Sequence, residues 1–293
     1  MAATALTPYA RLPRSHARLH VLHSTVDAGG RAHWLLAGRP ETAGSAPDNP
    51  ADGASDRMSD GVPNAVPDGV PYDALVITVD GGSAHATELS AVTARNPRLD
   101  ALPDGGFVVA DTARIQIFDA LGRAPWTLDP GGDVDHVLTD ASGALWITQG
   151  PAVRRLSLTG GVLGEVVAQP GPVGTADHLS LNVGAHTAWA GTRTGLLEIR
   201  DGQPVTVRTG PVKGTHGLAV HGDRLALLGG HGYDHSRLVM CLLTETAAEP
   251  VAYGTLVLPD GGELGRRRLV NRGPRLYVQS EPYSEWCVLD LGH

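Results

Sequence analysis

The chain has 293 residues, with 31 acidic against 23 Lys and Arg side chains and a formal net charge of −8, a balance that argues against nucleic acid or an anionic membrane surface as the main partner. Hydrophobic residues make up 42% but aromatics only 4%, so Val, Leu and Ala must fill any core, while 38 Gly and 21 Pro suit many short strands joined by tight turns. The two cysteines, Cys241 and Cys287, match neither a disulfide framework nor a C-x-x-C zinc motif; they read as buried thiols, with a disulfide between neighbouring sheets as the alternative.

In chain order, Ala2–Pro8 can supply one strand. Arg11 and Arg14 are followed by no apolar stretch of signal length, and no later run could span a bilayer, so the expectation is a soluble cytoplasmic protein. His20–His23 and Ala32–Ala37 predict two strands, and Asp73–Asp80 and Ala86–Val92 two more. Between these pairs, residues 39–71 are rich in Pro, Gly, Ala, Asp and Ser and lack periodicity. They predict a disordered or mobile insertion, either a solvated loop or a lid, inside a single domain spanning 1–293.

A repeat then sets in. Arg98–Asp111 leads to Arg114–Gly122, and His136–Thr148 leads to Arg154–Gly160. His178–Leu181 turns to Thr187–Ala190 and Gly195–Arg200. His216–Val220 turns through Gly222 and Asp223 into Leu225–Leu228, and a longer connection reaches Arg237–Leu243. Each unit reads strand, Asp/Gly turn, strand, loop, strand, turn, strand, at a spacing of roughly 40 residues, the scale of one propeller blade. These units cover 96–130, 132–170, 174–210 and 213–260. The C-terminus offers only three strands, at Arg268–Val270, Arg275–Val278 and Trp286–Leu291, and Ala2–Pro8 would be the fourth. The expectation is an all-β, six-bladed β-propeller with four-stranded antiparallel blades, its ring closed by the N-terminal strand.

The segment Leu102-Pro-Asp-Gly-Gly-Phe-Val-Val-Ala-Asp111, with Arg114-Ile-Gln-Ile-Phe-Asp119 and Gly122, resembles an NHL repeat, and Asp140-Ala-Ser-Gly-Ala-Leu-Trp-Ile-Thr148 resembles blades of streptogramin lyase-like propellers. The resemblance covers two blades well and the others in outline. It implies that the first strand of each repeat lines the central channel. It also implies that the start of that strand, and the loop between second and third strands, open on the ligand-binding face.

Counting back from the second strands gives a constellation. His136 lies ten residues before Trp146, His216 ten before Ala226, His178 eleven before Trp189 and Arg98 ten before Val108. His20 and Arg267 or Arg268 hold the same place in the first and last blades. Neutral imidazoles meeting on a pore are natural ligands for a divalent transition metal, zinc first, with iron, nickel or manganese as alternatives. His20, His136, His178 and His216 are the candidate ligands; His136, His178 and His216, or His20, His136 and His216, are the candidate triplets. The arrangement resembles in outline the peptidylglycine amidating lyases, which hold zinc with histidines on a six-bladed propeller. Gluconolactonase-like propellers bind metal through acidic and amide groups, whereas the strand starts here are His and Arg. A hydrogen-bonded polar lining and a metal-free, anion-binding use with the arginines are the competing readings.

Loops add chemistry to the same face. His231, Tyr233 and His235 lie in a Gly-rich loop and could act as acid, base or further ligands. Glu281 and Tyr283 bring a carboxylate and a phenol. Lys213, the sole lysine, sits three residues before His216, where a Schiff base is conceivable. Arg98, Arg267 and Arg268 could hold a carboxylate or phosphate by bidentate contacts. The functional expectation is a metal-dependent enzyme, a lyase before a hydrolase on family resemblance, acting on a small anionic molecule at the channel mouth. Arg98, His231, Tyr233, His235 and Arg267 would be catalytic, with Arg268, Glu281, Tyr283 and Lys213 binding substrate. The alternative is a non-catalytic propeller that binds a peptide or protein partner.

Overall fold

The computed structural model describes residues 2–16, 20–37, 71–94, 96–111, 114–124, 126–149, 152–159, 162–168, 180–184, 187–191, 195–200, 203–210, 215–229, 236–264, 268–280 and 284–292. The insertion read over 39–71 lies outside them except for Pro71.

Strands β1 (Ala2–Ala5) and β2 (Thr7–Arg11) open the chain, followed by a 3-10 turn at Arg14–His16. Strands β3 (His20–Val26), β4 (Ala32–Ala37), β5 (Tyr72–Asp80) and β6 (Ser83–Val92) form an antiparallel meander. The pattern recurs in β7 (Arg98–Ala101), β8 (Phe107–Ala110), β9 (Ile115–Phe118) and β10 (Trp126–Leu128). It recurs again in β11 (His136–Thr139), β12 (Leu145–Gln149), β13 (Ala152–Thr159) and β14 (Val162–Ala168), and in β15 (Ser180–Val183), β16 (Thr187–Gly191), β17 (Gly195–Arg200) and β18 (Gln203–Thr209). Next come β19 (Thr215–His221), β20 (Arg224–Gly229), β21 (Arg237–Leu243) and β22 (Ala248–Val257). Strands β23 (Leu269–Arg272), β24 (Arg275–Ser280) and β25 (Glu285–Asp290) end the chain.

The N-terminal segment does two jobs where the sequence suggested one. β2 pairs antiparallel with β25 and supplies the fourth strand of the last sheet. β1 instead runs parallel to β22, along the outer edge of the preceding sheet. Leu6, between them, is 3% exposed and donates its N–H to Val257 O at 2.9 Å.

The apolar runs are continuous because both faces of each sheet are covered. Successive side chains of one strand point to opposite faces and enter different cores. In β8, Phe107 and Val109 pack with Leu35, Val76 and Leu89 of the first sheet. Val108 and Ala110 pack with Val137, Leu145 and Ile147 of the third. In β20, Leu225 and Leu227 join Trp189 and Leu196, while Ala226 and Leu228 join Leu276, Val278 and Cys287. Each such Leu, Val or Phe contributes about 1.5–3 kcal/mol on burial, so every sheet is held by the sheets on either side of it.

The Asp/Gly turns form as the sequence predicts. Asp140 accepts the N–H groups of Ser142 and Ala144, and Asp27 accepts that of Arg31. Gly122, at φ +76°, lies so close to Glu88 O that a Cβ would sit 1.7 Å from it, which only glycine tolerates. Cys241 and Cys287 are buried free thiols, and burial pushes both up to about 11.

Candidate functional site

The first strands of consecutive sheets lie side by side: β3 by β7, β7 by β11, β11 by β15, β15 by β19 and β19 by β23. Their side chains therefore share one central space. Its inner part is filled. Asp100 on β7 is fully buried and takes both oxygens to Arg272 Nη2 at 2.7 Å. It also accepts the Thr139 hydroxyl at 3.0 Å, the Thr139 amide, and the Thr25 hydroxyl at 3.3 Å. Arg272 donates further to Val26 O at 2.9 Å and to Thr139 O at 2.7 Å. Opposite this pair, Asn182 donates to Leu218 O and Gly273 O at 2.9 Å, and Asn271 donates to Leu181 O at 3.0 Å. These contacts tie β3, β7, β11, β15, β19 and β23 together and make a floor.

Above that floor sit the residues that begin the strands. Arg98 precedes Asp100 by two positions on the same strand, so it shares its face and lies about 7 Å nearer the strand's start. Arg268 precedes Arg272 by four and shares its face by the same alternation. Both arginines are half-buried, and His136 at the head of β11 is exposed. All three act electrostatically on His23 of β3. Burial pushes its imidazole down, and the charges of Arg268, Arg98 and His136 push it further the same way. Its Nδ1 accepts the Leu99 amide at 3.1 Å, which links β3 to β7. Burial also lowers Arg98, opposed by Asp135 and Asp111 beside it. Arg98 and Arg268 thus bring positive charge here, with Asp135 and Asp111 acting on Arg98 and Arg268 Nη1 donating to Ser24 Oγ at 3.4 Å.

Arg98, His136 and Arg268, which share the repeat position, all act electrostatically on one histidine of β3, His23, which the repeat count does not select. Pairing of β3 with β4 slips between Val21 and His23. His20 is exposed at the strand's outer end. A second slip lies between Thr215 and Gly217, at His216, which is half-buried. Among the described residues no three His, Cys, Asp or Glu side chains come together as a metal would require, so the triplet His20, His136 and His216 does not assemble. His178, Lys213, His231, Tyr233, His235, Arg267, Glu281 and Tyr283 lie outside the described residues.

A concavity of about 660 Å³ opens at the other end of β19, by Gly222 and Asp223. In it Glu198 takes Arg200 at 2.7 Å and Arg208 at 2.6 Å, and Arg208 stacks 5.2 Å from the Trp189 ring.

This is a β-propeller. No protein-family model matches the chain, and no curated protein matches it. Solved structures do. Kluyveromyces lactis Hsv2 aligns at a TM-score of 0.52 and 9% identity, over 92% of this chain and 73% of that one. A chain of the mitotic checkpoint complex aligns at 0.51 and 11%, over 99% and 96%. The calcium-binding protein regucalcin from Agrobacterium tumefaciens aligns at 0.50 and 13%, over 99% and 95%. At such identities the likeness is one of fold. No helix among the described residues is long and apolar enough to cross a membrane.

Proposed function

We propose that the chain is a six-bladed ring, closed by β2, that binds a small anionic molecule in the blind mouth of its channel and acts on it there. The observation that carries this reading is that half-buried Arg98 and Arg268 precede Asp100 and Arg272 of the buried floor by two and four residues and, with His136, act electrostatically on His23. Guanidinium groups removed from bulk water and converging from different sheets suit a carboxylate or phosphate. Regucalcin is calcium-binding; two guanidinium groups at this mouth favour an anion over such a cation.

Bond cleavage, elimination before hydrolysis, is the activity that the streptogramin lyase-like resemblance suggests. Among the described residues no three-ligand group for zinc comes together. A metal here would need His178, His231 or His235, and metal analysis of the purified protein decides it. The anion reading is tested by calorimetric titration with inorganic phosphate and with malonate. Arg268→Ala and Arg98→Ala should each weaken binding about tenfold. Equal affinity in wild type and both variants refutes the reading.

One observation favours a protein partner as a second reading. Val251 and Tyr253 on β22 are 65% and 49% exposed, with Leu242 at 39% on the same sheet. A partner retained on Val251→Asp and lost on Arg268→Ala would count against that surface.

A further inference from the structure

We infer that His23 is a fixed hydrogen-bond donor of the channel mouth, locked by the Leu99 amide as the neutral Nε2–H form, and that it takes an oxygen of the bound anion. The inference rests on the anion-binding reading of the mouth and goes beyond it by assigning the protonation form and the role of one residue.

The lock follows from hydrogen-bond polarity. The Leu99 N–H points into Nδ1 at 3.1 Å, so Nδ1 must present its lone pair. Imidazolium carries a proton on each nitrogen, and a charged His23 would set two N–H groups against each other. Neutral imidazole with its proton on Nδ1 fails for the same reason. One form remains, with the proton on Nε2. The surroundings act in the same direction, since Arg268, Arg98 and His136 all disfavour a further positive charge on a half-buried ring. Asp135 and Asp111 bear on Arg98, while the charges that act on His23 itself are those of Arg268, Arg98 and His136, all unfavourable to protonation.

The form dictates the chemistry. Nδ1 is occupied, so it can neither bind a metal nor accept a proton. Nε2 already carries a proton, so it is no general base. What is left is donation from Nε2–H. Set among guanidinium groups, a neutral donor adds a directed hydrogen bond to an oxyanion without adding charge repulsion between cations. The register of β3 on β4 shifts between Val21 and His23, immediately before the ring that meets Leu99.

The test uses the full chain labelled with 15N-histidine, with ring nitrogens read by NMR from about pH 8 to about pH 5, a range that spans the ordinary histidine pKa. His23 signals are assigned by their loss in His23→Gln. The expected result is an unprotonated Nδ1 and a protonated Nε2 across the whole range, and a shift of the Nε2 signal on adding inorganic phosphate or malonate; the stronger of the two distinguishes a phosphate from a carboxylate ligand. His23→Phe should weaken binding of that anion about tenfold, while His23→Gln, which keeps an N–H donor, should hold it within a few-fold. Titration of His23 to imidazolium near pH 6.5, or a proton on Nδ1, overturns the proposal. So does anion binding that depends on Arg268 but leaves the His23 signals unmoved, and in that case the anion reading survives alone. If neither anion binds at all, both fall together.

Discussion

Asp27 shows how one side chain can serve a turn and a core at once. Its Oδ1 accepts the Arg31 amide at 2.8 Å, while its Oδ2 takes the Arg31 guanidinium at 2.8 Å and the buried His33 ring at 3.1 Å. The other nitrogen of that ring meets the Thr78 hydroxyl at 2.9 Å, so the turn is tied through His33 to the third strand of its sheet. Asp140 repeats the device six residues before Trp146, whose indole N–H it accepts at 3.0 Å. Burial pushes the Asp27 carboxyl up, but the His33 and Arg31 contacts outweigh burial and hold it well below the usual carboxylate range. Because its folded pKa lies below its unfolded one, the unfolded chain takes up the proton first as pH falls. The stabilisation is whole above the ordinary carboxylate pKa of about 3.9 and drains away below it. Asp27→Asn should lower stability at pH 7 by about 1.5–3 kcal/mol. The gap to wild type should narrow on going from about pH 5 to about pH 3. Melting curves across that range check it, and a gap independent of pH contradicts the assignment.

At the scale of elements, the N-terminal strands carry the sharpest consequence. β1 covers the edge of β22 and β2 covers the edge of β25, so eleven or so residues shield two edges that would otherwise offer unpaired amides. Leu6 is the pin between them, packed with Leu238, Leu256 and Cys287. Leu6→Ala should cost about 2–5 kcal/mol, and deletion of residues 1–12 should lower the melting temperature further and promote self-association. A deletion variant that melts like the wild type would show that the two edges need no cover. The sequence reading placed a strand here but not its division, because Ala2–Ala5 carries no alternation that marks a partner. Elsewhere the elements were legible for a physical reason. Runs such as Phe107–Ala110 are apolar on both faces, and Asp/Gly turns at fixed spacing separate them. The same regularity exposed Arg98, His136 and Arg268. His23 lay outside that count, and the register shift between Val21 and His23 leaves no mark in composition.

For the whole molecule, the ion pair between Asp100 and Arg272 is the contact that sheets remote in sequence have in common. It is fully buried, it joins the sheets of β3, β7, β11 and β23, and both partners have their remaining capacity met by Thr25, Thr139 and Val26. Desolvating two charges costs several kcal/mol per ion, so such a pair contributes little net stability against a well-packed apolar substitute. Its worth lies in geometry: a planar guanidinium with fixed donor directions sets where four strand ends meet, and so sets the floor of the mouth. The two accounts separate by a double-variant cycle in chemical denaturation. Arg272→Met alone should destabilise by about 3–5 kcal/mol, because it strands the Asp100 carboxylate. Asp100→Leu with Arg272→Met should recover most of that loss. If the pair specifies geometry, the recovered double variant will still bind phosphate or malonate more weakly than wild type, since apolar side chains do not fix the strand ends beneath Arg98 and Arg268. Wild-type affinity in a stable double variant would reduce the pair to filling, and would place the ordering of the mouth in the bond between His23 and Leu99 instead.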